Sequence, residues 1–179
     1  MKAATAVSIG GILPGFSPKS YASIIGANER VMVAIMGVNG RGSALGTNFA
    51  KQPNCEVLYV CDVDSRAEAR FSDEIKKITG KAPKAHKDFR KALEDKNLDA
   101  LVVAAPDHWH APAAILACKA GKHVYLEKPC SHNPREGELV MAAAQKYNRV
   151  LQMGNQRPSW PKVISAIAGL KAGGIGRAY

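Results

Sequence analysis

Val31-Met32-Val33-Ala34-Ile35-Met36 runs without a break into Gly37-Val38-Asn39-Gly40-Arg41-Gly42, and Ser43–Ala50 follows as a helix. Six apolar residues between Arg30 and Gly37 are short for a helix and suit a strand buried on both faces. A glycine-rich turn between a strand and a helix lets backbone approach a pyrophosphate. Exposed N–H groups and the positive end of the helix then meet the negative charge. The usual pattern is G-x-G-x-x-G; here Asn39 stands at the middle glycine, with Gly40 beside it. Asparagine adopts positive φ more readily than other side chains, so the tight turn is expected to survive. Gly37, Asn39, Gly40, Arg41 and Gly42 are the candidate cofactor-binding loop.

Working outward from this turn, short apolar runs recur at Val57–Cys61, Ala100–Ala104, His123–Leu126 and Val150–Met153, with helix-length segments between them. Ser65-Arg66-Ala67-Glu68 reads as a capping box opening a helix that ends near Gly80. Asp88 can cap another helix before Leu98. Pro112 suits the first turn of a helix stopped by Gly121, and Asn133-Pro134 opens the next. Strands rich in Val, Ile and Leu that alternate with helices indicate an α/β chain, a doubly wound parallel sheet of the Rossmann type. Residues 30–154 are assigned to that unit.

The second strand carries the next signal. Val57–Cys61 ends in Asp62, 25 positions after Gly37. A carboxylate there accepts hydrogen bonds from the adenosine ribose hydroxyls and repels a 2′-phosphate, which favours NAD over NADP. Ser65 and Arg66, close by, could still offer contacts to a phosphate. Ligands of such sheets bind beyond the carboxyl ends of the strands, so two further segments should meet the cofactor. One is Ala104-Ala105-Pro106-Asp107-His108-Trp109-His110; the other is Glu127-Lys128-Pro129. Pro129 biases Lys128 toward an extended conformation that would aim its ammonium at the crevice. A lysine so placed can polarise a hydroxyl or carbonyl oxygen during hydride transfer.

The run Pro106-Asp107-His108-Trp109-His110, followed by Ala120-Gly121-Lys122-His123-Val124-Tyr125-Leu126-Glu127-Lys128-Pro129, resembles the Gfo/Idh/MocA oxidoreductases. These are the glucose–fructose oxidoreductase and inositol dehydrogenase relatives. The resemblance extends from Val31 to about Arg157 and implies an N-terminal Rossmann domain followed by a second α/β domain. It implies oxidation or reduction of a sugar or cyclitol carbon with NAD(P). By match, Lys128 is the catalytic lysine contacting substrate and nicotinamide. Pro106, His110 and Glu127 belong to the cofactor site, the last two at its nicotinamide end. Gln152-Met153-Gly154-Asn155-Gln156-Arg157 resembles the segment leaving the first domain, with Pro158 where many relatives have another basic residue. The resemblance also implies an Asp and a His acting as acid and base from the second domain. Residues 155–179 read as a linker helix, Trp160–Ala172, a Gly173-Gly174 turn and an opening strand from Ile175. The chain is therefore expected to be a fragment of a longer enzyme, homo-oligomeric when complete, with exposed apolar surface near Trp160–Ile175 that promotes self-association.

Composition narrows the classes further. The chain has 179 residues, 46% hydrophobic and 22% charged, with 25 Lys+Arg against 15 Asp+Glu. That is enough apolar material for a core, and no apolar run approaches the roughly 20 residues of a transmembrane helix. The surplus of positive charge lies partly in Arg66–Lys91, with nine basic residues against four acids. Those charges alternate along expected helices with few aromatics, which describes a solvated face and not a nucleic-acid surface. Cys55, Cys61, Cys118 and Cys130 form no C-x-x-C pair, and Cys55 and Cys61 on one strand would stand about 20 Å apart. They read as small core residues; Tyr59 and Tyr125 likewise read as core. His108 and His110 lack the further ligands of a metal site and read as cap or cofactor contacts. Residues 1–29 look unlike the rest. Lys2, the apolar stretch Ala3–Leu13 and Ser20-Tyr21-Ala22 resemble an export signal without a twin arginine, implying a periplasmic or otherwise exported protein; the alternative is a packed or disordered arm of a cytoplasmic one.

Three functional readings follow. The first is an NAD-dependent oxidoreductase acting on a sugar-like hydroxyl, its proton passing to a base outside this chain. The second is a glycosidase that holds NAD and oxidises its sugar transiently. The third is a dinucleotide-binding module that is catalytically incomplete as it stands.

Overall fold

Val33, Ala34 and Ile35 are essentially inaccessible to solvent, so in Val31–Met36 (β1) burial is continuous from Val33 to Met36 and does not alternate. A strand with that pattern is covered on both faces and flanked on both edges. The structure, a computed structural model, describes residues 30–155, 159–174 and 176. The export-like segment lies outside these residues. So do Gln156–Pro158, in the segment expected to leave the domain, and Ile175 and Arg177–Tyr179 of the expected opening strand.

The chain proceeds from β1 to Arg41–Ala50 (α1), Cys55–Cys61 (β2), Ser65–Thr79 (α2), Lys84–His86 (β3) and Phe89–Leu93 (α3). Ala100–Val103 (β4), a 3-10 turn at Asp107–Trp109, His110–Lys119 (α4) and His123–Glu127 (β5) come next. Pro134–Lys146 (α5), Leu151–Gly154 (β6) and Pro161–Lys171 (α6) complete the described elements. The strands form one sheet of order β3-β2-β1-β4-β5-β6, and all five pairings are parallel. This is the doubly wound sheet expected from the alternating pattern. Its order reverses direction between β1 and β4, which leaves a crevice there.

Register decides what faces that crevice. Met36 pairs with Cys61 and Val103, and Val103 pairs with Leu126. The residues one step beyond are therefore brought to one edge: Gly37, Asp62, Ala104 and Glu127. Two cores hold the sheet from either side. Val33, Ile35, Leu45, Val60, Phe71 and Ile75 fill the face under α1 and α2. Leu101, Val103, Ala113, Ala117, Leu126 and Val140 fill the face under α4 and α5.

The caps follow the sequence with one shift. Asp64, not Ser65, is the N-cap of α2, its carboxylate accepting the Arg66 N–H. Ser65 becomes the first helical residue, and the Asp64 carboxylate takes the Arg66 N–H, one of the orphan donors at the helix start. The helix ends at Gly80 as expected. Asp88 caps α3, and Asn133 caps α5 with Pro134 in its first turn. Strand β3 is absent from the apolar pattern: Lys84-Ala85-His86 is a three-residue edge strand recruited by pairing with Tyr59–Cys61. Lys122 is a buried ammonium whose Nζ donates to the carbonyls of Asp95 and Leu98 at 2.7 and 2.8 Å, and burial draws its pKa down. All four cysteines are free; Cys61 and Cys118 are buried, Cys55 and Cys130 half-buried. Burial pushes the Cys55 thiol up to about 11 and that of Cys61 up to about 12. None of the described residues of α6 is buried, and Trp160, Ile164, Ile167 and Leu170 are exposed. Among the described residues, no helix is long and apolar enough to cross a membrane.

Asp88 offers a test of the capping geometry. Its carboxylate accepts the Arg90 N–H at 3.0 Å and pairs with the Arg90 guanidinium at 2.6 Å, which holds its pKa down to about 2. A depressed pKa means that the stabilisation is complete above the ordinary carboxylate range and is lost as pH falls through the folded value. Asp88→Ala is expected to cost about 1 kcal/mol at pH 7. In urea melts, the gap between the variant and the wild type should close as pH falls from 4 to 2. A gap that is constant with pH would show that the carboxylate charge has no part in the cap.

Candidate dinucleotide and substrate site

Gly37 has φ +83°, and a Cβ on it would lie 2.7–2.8 Å from the backbone of Ala104 and Ala105. The turn after β1 therefore presses against the turn after β4, which only glycine permits. Gly42 is tighter still: a Cβ there would sit 1.8 Å from the Gly37 carbonyl oxygen. The positive φ of this loop belongs to Gly37, not to Asn39 as the sequence suggests. Asn39 is held differently, its Oδ1 accepting Arg70 Nη2 at 2.7 Å from α2. Gly40 is the N-cap of α1 and offers no side-chain cap. Among the described residues, no backbone acceptor meets the N–H groups of Asn39, Gly40, Arg41 and Gly42, and the first turn of α1 holds no acid. Unpaired donors at a helix start that lacks an acid fit the diphosphate of a dinucleotide.

Asp62 sits half-buried at the end of β2. Its Oδ2 accepts the Val38 N–H at 2.7 Å and its Oδ1 the Asp64 N–H at 2.9 Å. The carboxylate thus ties the glycine loop to β2, and each oxygen keeps a lone pair for a further donor. A cavity of about 430 Å³ opens beside it, lined by Gly37, Asp62, Val63, Phe89, Pro106 and Trp109 among others. Its walls are mainly apolar, with Lys87, Asp88 and Arg90 also among the lining residues, and it suits a purine-sized group.

A second cavity, of about 390 Å³, is lined by Arg41, Ala104, Ala105, Asp107, His110, Glu127, Lys128 and Pro129. Ala105, in the turn after β4, borders both cavities, while Gly37 lines the first and Arg41 the second. The Lys128 side chain is exposed, and among the described residues its ammonium has no hydrogen bond or ion pair. The Lys128–Pro129 peptide is cis. His110, 2% exposed, begins α4 and stands between two carbonyls. Its Nε2 is 2.9 Å from the Ala105 oxygen, and its Nδ1 meets the Pro129 oxygen. The ring therefore ties the turn after β4 to the turn after β5. Asp107 Oδ2 faces His132 Nδ1 at 3.3 Å, and this imidazole holds the Asp107 carboxyl below the usual range. Neither this pair nor Arg70 is signalled by the sequence, because the partners are 25 and 31 positions apart. Of the residues named from the sequence, Gly37, Asp62 and Pro106 line the first cavity and Arg41, His110, Glu127 and Lys128 the second, while Asn39 and Gly40 precede α1 and Gly42 lies in its first turn. Among the described residues, no three His, Cys, Asp or Glu side chains gather as metal ligands.

A family model described as an oxidoreductase family with an NAD-binding Rossmann fold, Gfo/Idh/MocA, matches residues 31–155. The chain belongs to the Gfo/Idh/MocA family. This Gfo/Idh/MocA chain is 32% identical over 134 residues to a glycosyl hydrolase family 109 protein of Saccharopolyspora erythraea, a match covering 72% of the chain and 29% of that protein. It is 26% identical to the uncharacterized oxidoreductase YrbE of Bacillus subtilis, over 78% of the chain and 40% of the relative. The crystal structure of myo-inositol 2-dehydrogenase from Lactobacillus plantarum superposes with a TM-score of 0.71 at 21% identity, covering 83% of this chain and 43% of that one. That likeness establishes the shared fold. The chain thus spans less than half the length of these Gfo/Idh/MocA relatives.

Proposed function

We propose that the full-length protein is an NAD-dependent oxidoreductase exchanging hydride with a hydroxyl-bearing carbon of a sugar or cyclitol. The observation that carries this reading is the unpaired Lys128 ammonium in a cavity that adjoins the glycine loop. NAD, when bound, supplies a hydride acceptor at C4 of its nicotinamide ring. Gly37, Asn39, Gly40, Arg41 and Gly42 hold its diphosphate. Asp62 accepts hydrogen bonds from the adenosine ribose hydroxyls, with Pro106 beside it in the same cavity, and His110 and Glu127 frame the nicotinamide end. Lys128 donates a hydrogen bond to the reacting oxygen and stabilises its negative charge as the carbon is oxidised. The hydroxyl proton passes to a base in a second α/β domain. An exported location and a homo-oligomeric enzyme belong to the same reading. The expected result is NADH absorbance rising when the full-length enzyme meets NAD and a panel of sugars and cyclitols. No hydride exchange with any polyol would overturn the reading.

A second reading draws support from the relative of the glycosyl hydrolase family 109. In it, the sugar is oxidised transiently to loosen its glycosidic bond and is then reduced again. It predicts release of free sugar from a glycoside without net NADH, whereas the first predicts NADH in step with oxidised product.

Cofactor preference gives a separate prediction. The Asp62 carboxylate stands where a 2′-phosphate would crowd it, so NADH should bind more tightly than NADPH. Asp62→Asn keeps an acceptor for Val38 but removes the charge. The ratio of the two dissociation constants, measured by fluorescence titration, is expected to shift toward NADPH by about tenfold. An unchanged ratio would mean that Asp62 serves only the loop.

A further inference from the structure

Glu127 ends β5 with its side chain only 5% exposed. A carboxylate this deep persists as an anion only where it is paired and hydrogen-bonded. Its Oε1 accepts Arg41 Nε at 2.7 Å, from a residue 86 positions away. Its Oε2 accepts the Lys128 N–H at 3.2 Å. Gly154 closes the remaining side, where a Cβ would lie 2.9 Å from Oε1 and 2.7 Å from the Tyr125 hydroxyl. The carboxylate is thus walled in and cannot itself reach far into the cavity.

Arg41 is placed differently. It is the first residue of α1, beside the unpaired N–H groups of the loop, and its side chain is 40% exposed. The bond to Glu127 uses Nε and the Tyr125 hydroxyl also meets the guanidinium, so the five-donor fork still has Nη hydrogens for a further acceptor. Arg41 lines the cavity that holds Lys128, not the one beside Asp62. Its guanidinium is therefore on the Lys128 side, away from the cavity assigned to the adenosine.

We propose that Glu127 is a positioning residue that aims the Arg41 guanidinium at the nicotinamide-side phosphate of the cofactor. The role differs from the direct contribution at the nicotinamide end that the family resemblance implies for Glu127. One buried carboxylate fixes both the arginine that grips the diphosphate and the backbone of Lys128. The inference rests on dinucleotide binding alone, so failure of the sugar chemistry would leave it intact.

The test uses this chain with three probes: AMP, which carries one phosphate, and ADP-ribose and NADH, which carry two. A charge-assisted hydrogen bond of this kind corresponds to roughly tenfold in affinity. Glu127→Gln is expected to weaken ADP-ribose and NADH by about that factor while AMP stays within about twofold. Arg41→Ala should give the same pattern, and the double variant should bind no more weakly than Arg41→Ala alone. Gly154→Ala crowds Oε1 without removing the charge and serves as the second variant should Glu127→Gln fold poorly; the same selective loss is expected. Equal weakening of AMP would show a merely structural role and overturn the proposal. So would additive losses in the double variant, or unchanged affinity for the two-phosphate probes.

Discussion

Lys128→Met in the full-length enzyme is expected to lower kcat/KM by about 10³-fold while leaving the affinity for NADH within about twofold. The argument is one of place. Lys128 follows β5, at the edge where register also sets Gly37, Asp62 and Ala104. Its ammonium has no partner among the described residues, so no stabilising contact is lost when it is removed. Methionine keeps most of the side-chain volume and removes the charge. The loss should therefore fall on the chemical step and spare both folding and cofactor. Measuring kcat/KM with the best polyol of the panel, beside NADH titration and a thermal melt, separates the two. Unchanged kcat/KM would remove Lys128 from the reaction. A parallel fall in NADH affinity would move it from substrate to cofactor.

The second large effect belongs to Gly42→Ala. A Cβ 1.8 Å from the Gly37 carbonyl oxygen is far inside van der Waals contact, and the atom it meets is backbone. Relief requires the loop after β1 to lift away from α1. Gly37 cannot yield easily, because Ala104 and Ala105 press on its other side. The strain should cost about 1–3 kcal/mol of stability, typical of overpacking. It should also misplace every N–H aimed at the diphosphate, and NADH affinity is expected to fall at least about 100-fold, or roughly 2.8 kcal/mol. Fluorescence titration and urea melts on this chain check both. Near-normal binding by Gly42→Ala would mean that the loop grips phosphate in some other way.

These two positions also mark what sequence reading reaches. The Gly37 loop, Asp62 and Lys128 are legible because each signal is local: a run of apolar residues, a spacing, a dipeptide before proline. Asp88 and Asn133 are legible as caps for the same reason. Strand β3 is not, since Lys84-Ala85-His86 has no apolar alternation and exists through its pairing with β2. Nor does the spacing tell Asp64 from Ser65 as the cap, because both residue types accept from an N–H two positions on. The glycine pattern points to a backbone role for Asn39 that Gly37 fulfils, and the Asn39 side chain accepts from Arg70 instead. Asp62 shows a mixture: its position at the strand end is readable, while its grip on the Val38 N–H is a product of folding. The pairing of Arg41 with Glu127 and the two carbonyls around His110 arise wholly from tertiary contact.

Lys122 changes how the Ala120–Pro129 signature itself should be understood. Its ammonium is spent on the carbonyls of Asp95 and Leu98, at the opposite end of the sheet from the crevice. One lysine of the signature is a rivet for a loop and the other, Lys128, faces the cavity. On the proposed mechanism, a variant without Lys128 would lose hydride transfer and still need Lys122 to close the loop before β4. The signature thus joins a lysine that holds the fold to one that the proposed chemistry would use.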